Sequence, residues 1–154
     1  MMRTGLAVML ALLWFADPAA AAQTMTVRLS PGPRLVGTRA ERSGVGSVTA
    51  TLDGSKLTIS GTYEGLLGAP TGAHLFAGSA PGVRGPKVAD LSTTSNEHVA
   101  SAPGQNGTDG HFSGSAKLNR AQFALFRKGG LYVEIDSADA PDGDLWGWLW
   151  APAD

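Results

Sequence analysis

The sequence predicts an all-β domain, an antiparallel β-sandwich with Greek-key-like connections and one short helix. A content of 21 glycines with only 16% charged residues is typical of a β domain with many turns. Two segments between Leu131 and Trp150 show the two-residue period of a β-strand, and a short stretch without this period separates them. The interruption, Ala140 to Gly143, contains a proline, an aspartate and a glycine, which favour a chain reversal. This stretch therefore predicts a hairpin.

The N-terminal residues have the pattern of a secretory signal peptide. Arg3 precedes an apolar run from Gly5 to Phe15, and small residues follow at Ala20 to Ala22. An Asp-Pro pair interrupts the apolar run before it reaches the roughly 20 residues that a membrane span needs. We therefore expect a Sec-type signal peptide at residues 1–22 and a bacterial protein that is periplasmic or secreted.

The amino-acid composition restricts the kinds of protein and of binding partner that are compatible with the sequence. The chain has no cysteine, which excludes disulfides and thiolate metal sites. An exported domain without disulfides is more typical of bacteria than of small eukaryotic extracellular modules. The net charge of −1 and the pI near 6.3 favour neither nucleic acid nor an anionic membrane. We expect no nucleic acid as partner and no membrane after signal cleavage.

Residues 23–154 are expected to form one globular unit. Its N-terminal part, residues 23–45, contains a strand and a loop, and residues 46–154 form the main domain. The strand is indicated by Met25, Val27 and Leu29, which alternate with polar residues. The stretch from Arg34 to Gly46 shows no clear period, and we predict a loop there.

A second hairpin is predicted from Ser47 to Tyr63, with its turn at Asp53-Gly54. Aliphatic residues alternate there with threonine and serine, as in a sheet wetted on one side. A short strand follows from Ala73 to Ala77. The segment from Gly78 to Gly110 is rich in Gly, Ser and Pro, and predicts a long mobile loop with a short edge strand at Lys87 to Leu91.

The last part of the domain predicts a strand from His111 to Leu118 and a helix from Asn119 to Lys128. Asn119 can cap this helix, Gln122 stands three residues later as in a capping box, and a glycine pair ends it. The narrow apolar stripe by which it would pack consists of Leu118, Ala121 and Leu125.

Three segments, taken in order, resemble the chordin-type (CHRD) domain: TLDGSKLTIS, TGAHLFAGSAPG, and the stretch from Gly110 to Leu149. The resemblance covers about Gly46 to Trp150, and its most specific part is the order helix, glycines, strand, turn and strand that ends LYVEIDSADAPDGDLWGWL. It implies an antiparallel β-sandwich without an established catalytic activity. In chordin, such domains belong to a protein that binds secreted growth factors.

The chain departs from the family pattern in its side chains. The family commonly has His-x-His where this chain has His74 followed by Phe76, and a histidine where it has Asp136. After the turn, polar outward residues of the family are replaced by Trp146 and Trp148.

One group of ionisable residues is a candidate metal site. Glu134 and Asp136 are two apart in a strand and share a face, and the resemblance implies that the strand of His74 lies nearby. One imidazole and two carboxylates could hold a divalent metal such as zinc. A histidine hydrogen-bonded to a neighbouring carboxylate explains the same residues without a metal. His98 and His111 lack ligand spacing, and we expect them to be solvated.

The second candidate site comprises the tryptophans of the last strand: Trp146, Trp148 and Trp150. They alternate with Leu145, Gly147 and Leu149, so a core-facing set of leucines would turn a row of indoles outward. Such a patch marks a surface that binds a protein, a carbohydrate or a second copy of the chain. The alternative is that the segment from Val27 to Val36, or the long loop, folds over the indoles.

Motifs for catalysis are absent from the sequence. It contains no Gly-x-Ser-x-Gly elbow, P-loop, His-Glu-x-x-His or cysteine nucleophile. Asp142 and Asp144 lie in and beside a turn, where we expect them to be solvated. The sequence therefore predicts a non-catalytic binding or structural module without a cofactor. The alternative is a divalent-metal-binding protein.

Overall fold

A computed structural model of the chain describes residues 21–32, 42–66, 68–98 and 107–150. The predicted signal peptide lies outside these ranges except for its last two residues, as does most of the predicted loop that begins at Arg34. The elements are β1 (Gln23–Pro31), β2 (Val45–Asp53), β3 (Lys56–Leu66), β4 (Pro70–Ala77), β5 (Lys87–His98), β6 (Gly107–Lys117), α1 (Arg120–Arg127), β7 (Leu131–Ser137) and β8 (Leu145–Leu149).

Within the described residues, the strands form a closed antiparallel barrel in the order β1-β2-β3-β6-β5-β4-β7-β8, and β8 pairs back to β1. The all-β class and the short helix are confirmed, whereas the predicted sandwich is corrected to a barrel. The barrel wall passes from β6 to β4 through β5, whose first part pairs with β4 and whose second part pairs with β6. Alternation along a strand reports which face is buried, and carries no information on whether the sheet closes.

Both predicted hairpins are present. In β2–β3, Leu52 lies opposite Leu57 and the turn glycine, Gly54, has a φ of +56°. In β7–β8, Leu131 lies opposite Leu149 and Ile135 opposite Leu145. The register of each hairpin puts aliphatic side chains of both strands into the barrel.

The strand predicted at Lys87 to Leu91 within the long loop is present as the first part of β5, although it is not at an edge, and the loop predicted after it is wrong where the structure describes the chain. β5 occupies Lys87–His98 and is paired on both sides, with Leu91 opposite Ala73 and Ser92 opposite Ser113. The second half of β5 is rich in Ser and Thr and has no apolar period, and backbone pairing with β6 holds it in the sheet. Residues 99–106 lie outside the described ranges.

The barrel interior is filled by aliphatic and aromatic side chains from all parts of the wall. Glycine makes room for the largest of them: a Cβ on Gly61 would lie 2.3 Å from Cζ of Phe112, which is itself buried. The fully buried side chains include Leu29, Leu57, Ile59, Tyr63, Leu75, Phe112, Leu131, Ile135 and Leu145.

The helix begins and ends as predicted. The Asn119 side chain accepts a hydrogen bond from the Gln122 backbone N–H, and the Gln122 side chain accepts one from the Asn119 N–H, both 2.9 Å long. Gly129 follows with a φ of +70°. The predicted apolar stripe is wrong at Ala121, which is exposed, because the helix instead buries Phe126 at one end of the barrel. No helix in the described ranges has the length and apolar character needed to cross a bilayer.

Candidate functional site on the outer face of β4, β7 and β8

The outward side chains of β4, β7 and β8 include a layer of aromatic rings, which we call the aromatic face: Phe76, Tyr132, Trp146 and Trp148. Phe76 pairs with Tyr132 across β4–β7, and Tyr132 pairs with Trp148 across β7–β8. The ring centroids of these pairs are 5.2 and 4.3 Å apart. Strand register therefore stacks the rings, since cross-strand neighbours on one face are in contact.

Trp146 is covered. It is 6% exposed, and the guanidinium carbon of Arg84, in the β4–β5 loop, lies 4.7 Å from its ring centroid. On another side the backbone of Gly32 lies so close that a Cβ there would be 1.2 Å from the indole Nε1. Both segments that the covering alternative named, Val27 to Val36 and the predicted long loop, therefore contribute to the cover over this indole.

Trp148 is more exposed to solvent than Trp146, and Trp150 is more exposed than Trp148. Trp148 is half-buried, with its Cη2 atom 3.3 Å from the position of a Cβ on Gly78. Trp150 is 60% exposed and rests on the backbone of Gly129, where a Cβ would lie 2.8 Å from its Cε3 atom. Among the described residues the other exposed large apolar side chain is Val83. The exposed apolar surface is therefore centred on Trp150.

His74 lies between two carboxylates. Its Nδ1 is 2.8 Å from Oδ1 of Asp90 on β5, and its Nε2 is 3.3 Å from Oδ2 of Asp136 on β7. Lys87 reaches the same Oδ1 of Asp90 at 2.6 Å, and this hydrogen bond is the main reason why the pKa of Asp90 is lowered. The strand of His74 does lie beside β7, with His74 directly opposite Glu134.

Glu134 is the most buried acid of this group, with 3% of its side chain exposed. Burial raises its pKa to about 7, although the guanidinium of Arg84, 3.2 Å from Oε2, acts in the opposite direction. Arg84 also donates a hydrogen bond to the backbone carbonyl of Asp142. Burial likewise raises the pKa of Asp136, and the neighbouring His74 opposes this.

These contacts do not form a metal centre. No group of three His, Asp or Glu side chains in the described ranges is arranged to hold a metal ion. Each ring nitrogen of His74 faces a carboxylate oxygen, and Glu134 faces a guanidinium. His74, Glu134 and Asp136 are brought together, but as members of an ion-pair network, which is the simpler of the two interpretations of these residues.

Sequence reasoning missed several members of this network. Arg84 lies in the segment that was predicted to be a mobile loop, and Lys87 and Asp90 lie in the short strand predicted within it, where the sequence analysis assigned them no role. The expectation that Asp144 is solvated is wrong: it is fully buried and accepts hydrogen bonds from the Ser137 hydroxyl and the Ser43 backbone N–H, at 2.7 and 2.9 Å. Burial raises its pKa.

The remaining histidines are His111 and His98. His111 is exposed on β6, as expected. His98 ends β5, and its side chain is outside the described part of the chain.

Comparison with known proteins identifies the family. Residues 25–149 match the family model of the CHRD domain, a range that runs from β1 to the end of β8 and so includes the whole barrel wall. No curated protein and no solved structure matches the chain significantly. Since the family model covers most of the sequence, the chain belongs to the CHRD domain family.

Proposed function

We propose that this CHRD protein is an exported, non-catalytic binding module that contacts its partner through the surface around Trp150. The observation that carries the proposal is that the Trp150 indole is 60% exposed, whereas the chain covers Trp146. Aromatic side chains contribute much of the energy of protein interfaces, because each buries a large area with few rotatable bonds.

The ionisable groups beside the aromatic face support a structural role for that region. His74 forms a hydrogen bond with Asp90 and lies 3.3 Å from Asp136, and Arg84 pairs with Glu134. Each group is engaged by an opposite charge or a hydrogen-bond partner, and these contacts hold the β4–β5 loop over Trp146. The network is therefore suited to fixing the cover of the barrel wall, and turnover of a substrate is not needed to account for it.

Export is supported by the position of β1. The strand begins at Gln23, directly after the alanines of the predicted cleavage site. Removal of residues 1–22 therefore leaves every described strand in place. Mass spectrometry of the protein recovered from a bacterial host tests this, with an N-terminus near Gln23 as the expected result and an intact N-terminus in the membrane fraction as the contrary one.

Trp150→Phe tests the binding surface. The difference between wild-type and variant emission isolates the fluorescence of Trp150, which we expect to be readily quenched by acrylamide in the free chain. Isolated envelope fragments of the expressing bacterium should protect this emission from acrylamide, and the variant should bind them more weakly. Equal binding of both chains, or none by either, would contradict the proposal.

A further inference from the structure

The net charge of −1 conceals an uneven distribution of charge along the barrel axis. One end of the barrel, which we call the helix end, carries the β2–β3 turn, the end of β6, the helix α1 and Trp150. The exposed cationic side chains there are Lys56, Lys117, Arg120, Arg127 and Lys128. Among the described residues at these elements the acidic side chain is Asp53. The helix end is therefore strongly basic.

The opposite end has the reverse character. The strand ends and turns there carry the exposed acids Glu64, Asp139 and Asp142, and the half-buried Asp109. Cations also lie near these acids, among them Arg84, which donates to the backbone carbonyl of Asp142, so the contrast between the two ends is one of excess. A partner that approaches the helix end meets mainly positive side chains.

Two placements at the helix end are unfavourable for folding. Lys56 and Lys117 lie directly opposite each other on β3 and β6, and like charges in a cross-strand pair repel, although Lys56 also lies opposite Asp53 on β2. Arg120 occupies the first turn of α1, which contains no acid, although the helix dipole favours negative charge there. In the described part of the chain, no salt bridge neutralises Lys56, Lys117 or Arg120. Local pairing with an opposite charge therefore does not account for the positions of Lys117 and Arg120.

The helix continues the same surface towards Trp150. The residues on its solvent side are Arg120, Ala121, Ala124, Arg127 and Lys128, so that face has cations and alanines without an acid. Lys128 precedes Gly129, on which the exposed Trp150 ring rests. An indole beside a group of lysines and arginines suits the boundary between a charged surface and an apolar layer.

We propose that the helix end binds peripherally to the surface of an anionic phospholipid bilayer, with the cations on the headgroups and Trp150 in the interface. The proposal rests on the proposed function and names the partner of the Trp150 surface. It also replaces the expectation, drawn from net charge, that no membrane is bound after signal cleavage. Each lysine or arginine near such a surface contributes measurably to binding, whatever the net charge of the protein.

A bilayer fits the helix end better than an acidic polysaccharide does. A polysaccharide would need polar side chains in the neighbouring cleft that can bind its hydroxyl groups, and few of the polar side chains there are available. This cleft, of 430 Å³, lies between α1 and the segment from Arg84 to Val88. Asn119 and Gln122 on its wall bond to each other in the capping box, and Lys87 and Arg84 pair with Asp90 and Glu134. A flat anionic surface requires only the projecting cations and the indole.

Cosedimentation with vesicles tests the proposal. The chain that begins at Gln23 keeps all described strands and avoids the apolar N-terminal run, and the full chain is measured in parallel against its own variants. Vesicles of equal parts phosphatidylglycerol and phosphatidylcholine should bind the wild type, and vesicles of phosphatidylcholine alone should not. Binding should fall as salt rises. Lys117→Glu should weaken it by about tenfold or more, since two units of charge change near the surface.

Arg28→Glu is the matched control, because Arg28 is also an exposed strand residue but lies away from the helix end. It should bind as the wild type does, whereas Trp150→Ala should weaken binding and abolish the blue shift of emission on vesicles. Equal loss in Arg28→Glu, or no difference between the two vesicle types, would overturn the proposal. Binding to soluble polygalacturonate but not to vesicles would also overturn it, and would leave the proposed Trp150 surface intact.

Discussion

The outer surfaces of the two halves of the barrel differ although both come from the same alternation along the strands. On β1, β2, β3 and β6 the outward residues are mainly threonine and serine, and we call this the hydroxyl face. Its hydroxyls pair across strands, as between Thr24 and Thr51 at 2.9 Å and between Thr26 and Thr49 at 3.1 Å. On β4, β7 and β8 the outward residues are the rings of the aromatic face and the carboxylates beside them, and Tyr132, Glu134 and Trp146 are buried.

This difference shows that a side chain that points out of the barrel is not necessarily exposed to solvent. On the aromatic face, Arg84 and Gly32 lie over Trp146 and create a second, thinner packed layer outside the barrel wall. The hydroxyl face has short polar side chains that water can solvate directly. Substitutions on the two faces should therefore have different energetic consequences.

The largest difference is expected between Trp146→Ala and Thr58→Ala. Trp146→Ala removes a covered ring and should lower the free energy of unfolding by about 3–5 kcal/mol. Thr58 is exposed on β3, and its truncation should change that free energy by less than about 0.5 kcal/mol. Urea denaturation measures both, and similar losses would show that the two faces are equally solvated.

The second prediction concerns pH. Because the pKa of Glu134 is raised from 4.5 to about 7 in the folded chain, the stabilisation associated with its protonated form is complete below pH 4.5 and is lost as pH rises through 7. The free energy of unfolding should fall by about 3 kcal/mol over this range, at 1.36 kcal/mol per pKa unit. The raised pKa values of Asp136 and Asp144 act in the same direction.

Glu134→Gln should flatten this dependence, and Glu64→Gln, an exposed acid on β3, serves as the control. Denaturation curves recorded between pH 4 and pH 8 measure the slope. A slope that is unchanged in Glu134→Gln would mean that water reaches this carboxyl group in the folded chain.

A somewhat smaller effect is expected for Arg84→Ala, which removes the cation over Trp146 and beside Glu134. The free energy of unfolding should fall by about 1–3 kcal/mol at pH 8, where Glu134 would be left charged and buried. The loss should be smaller at pH 5, where Glu134 is protonated. Acrylamide should also quench Trp146 more strongly. Arg28→Ala, on the hydroxyl face, should show neither change; a loss independent of pH would refute the role of the ion pair.

The smallest effect is expected for Thr26→Val. The hydrogen bond between Thr26 and Thr49 is exposed, so water can replace it, and valine is compatible with a strand. The free energy of unfolding should change by less than about 0.5 kcal/mol in either direction. A loss above about 1 kcal/mol would show that the paired hydroxyls contribute to stability beyond their contact with water.

Local signals in the sequence were sufficient for the hairpins and the helix. The turn at Asp53-Gly54 and the capping pair of Asn119 and Gln122 act over a few residues, and the structure contains both. β5 was predicted only from Lys87 to Leu91, and its continuation to His98 was missed because the serines and threonines there have no apolar period. The burial of Asp144 was missed because its position beside a turn indicated a solvated acid, whereas Ser137 and Ser43, the latter 101 residues away, bond to it.

The sequence by itself determined the strand and helix periods, the turns, and which side chains share a face, because these depend on neighbours a few residues apart. Only the tertiary structure decided that the sheet closes into a barrel, that Trp146 is covered while Trp150 is open, and that His74 lies between Asp90 and Asp136. These outcomes depend on which distant strands pair and on where a loop lies, and local periodicity does not encode either.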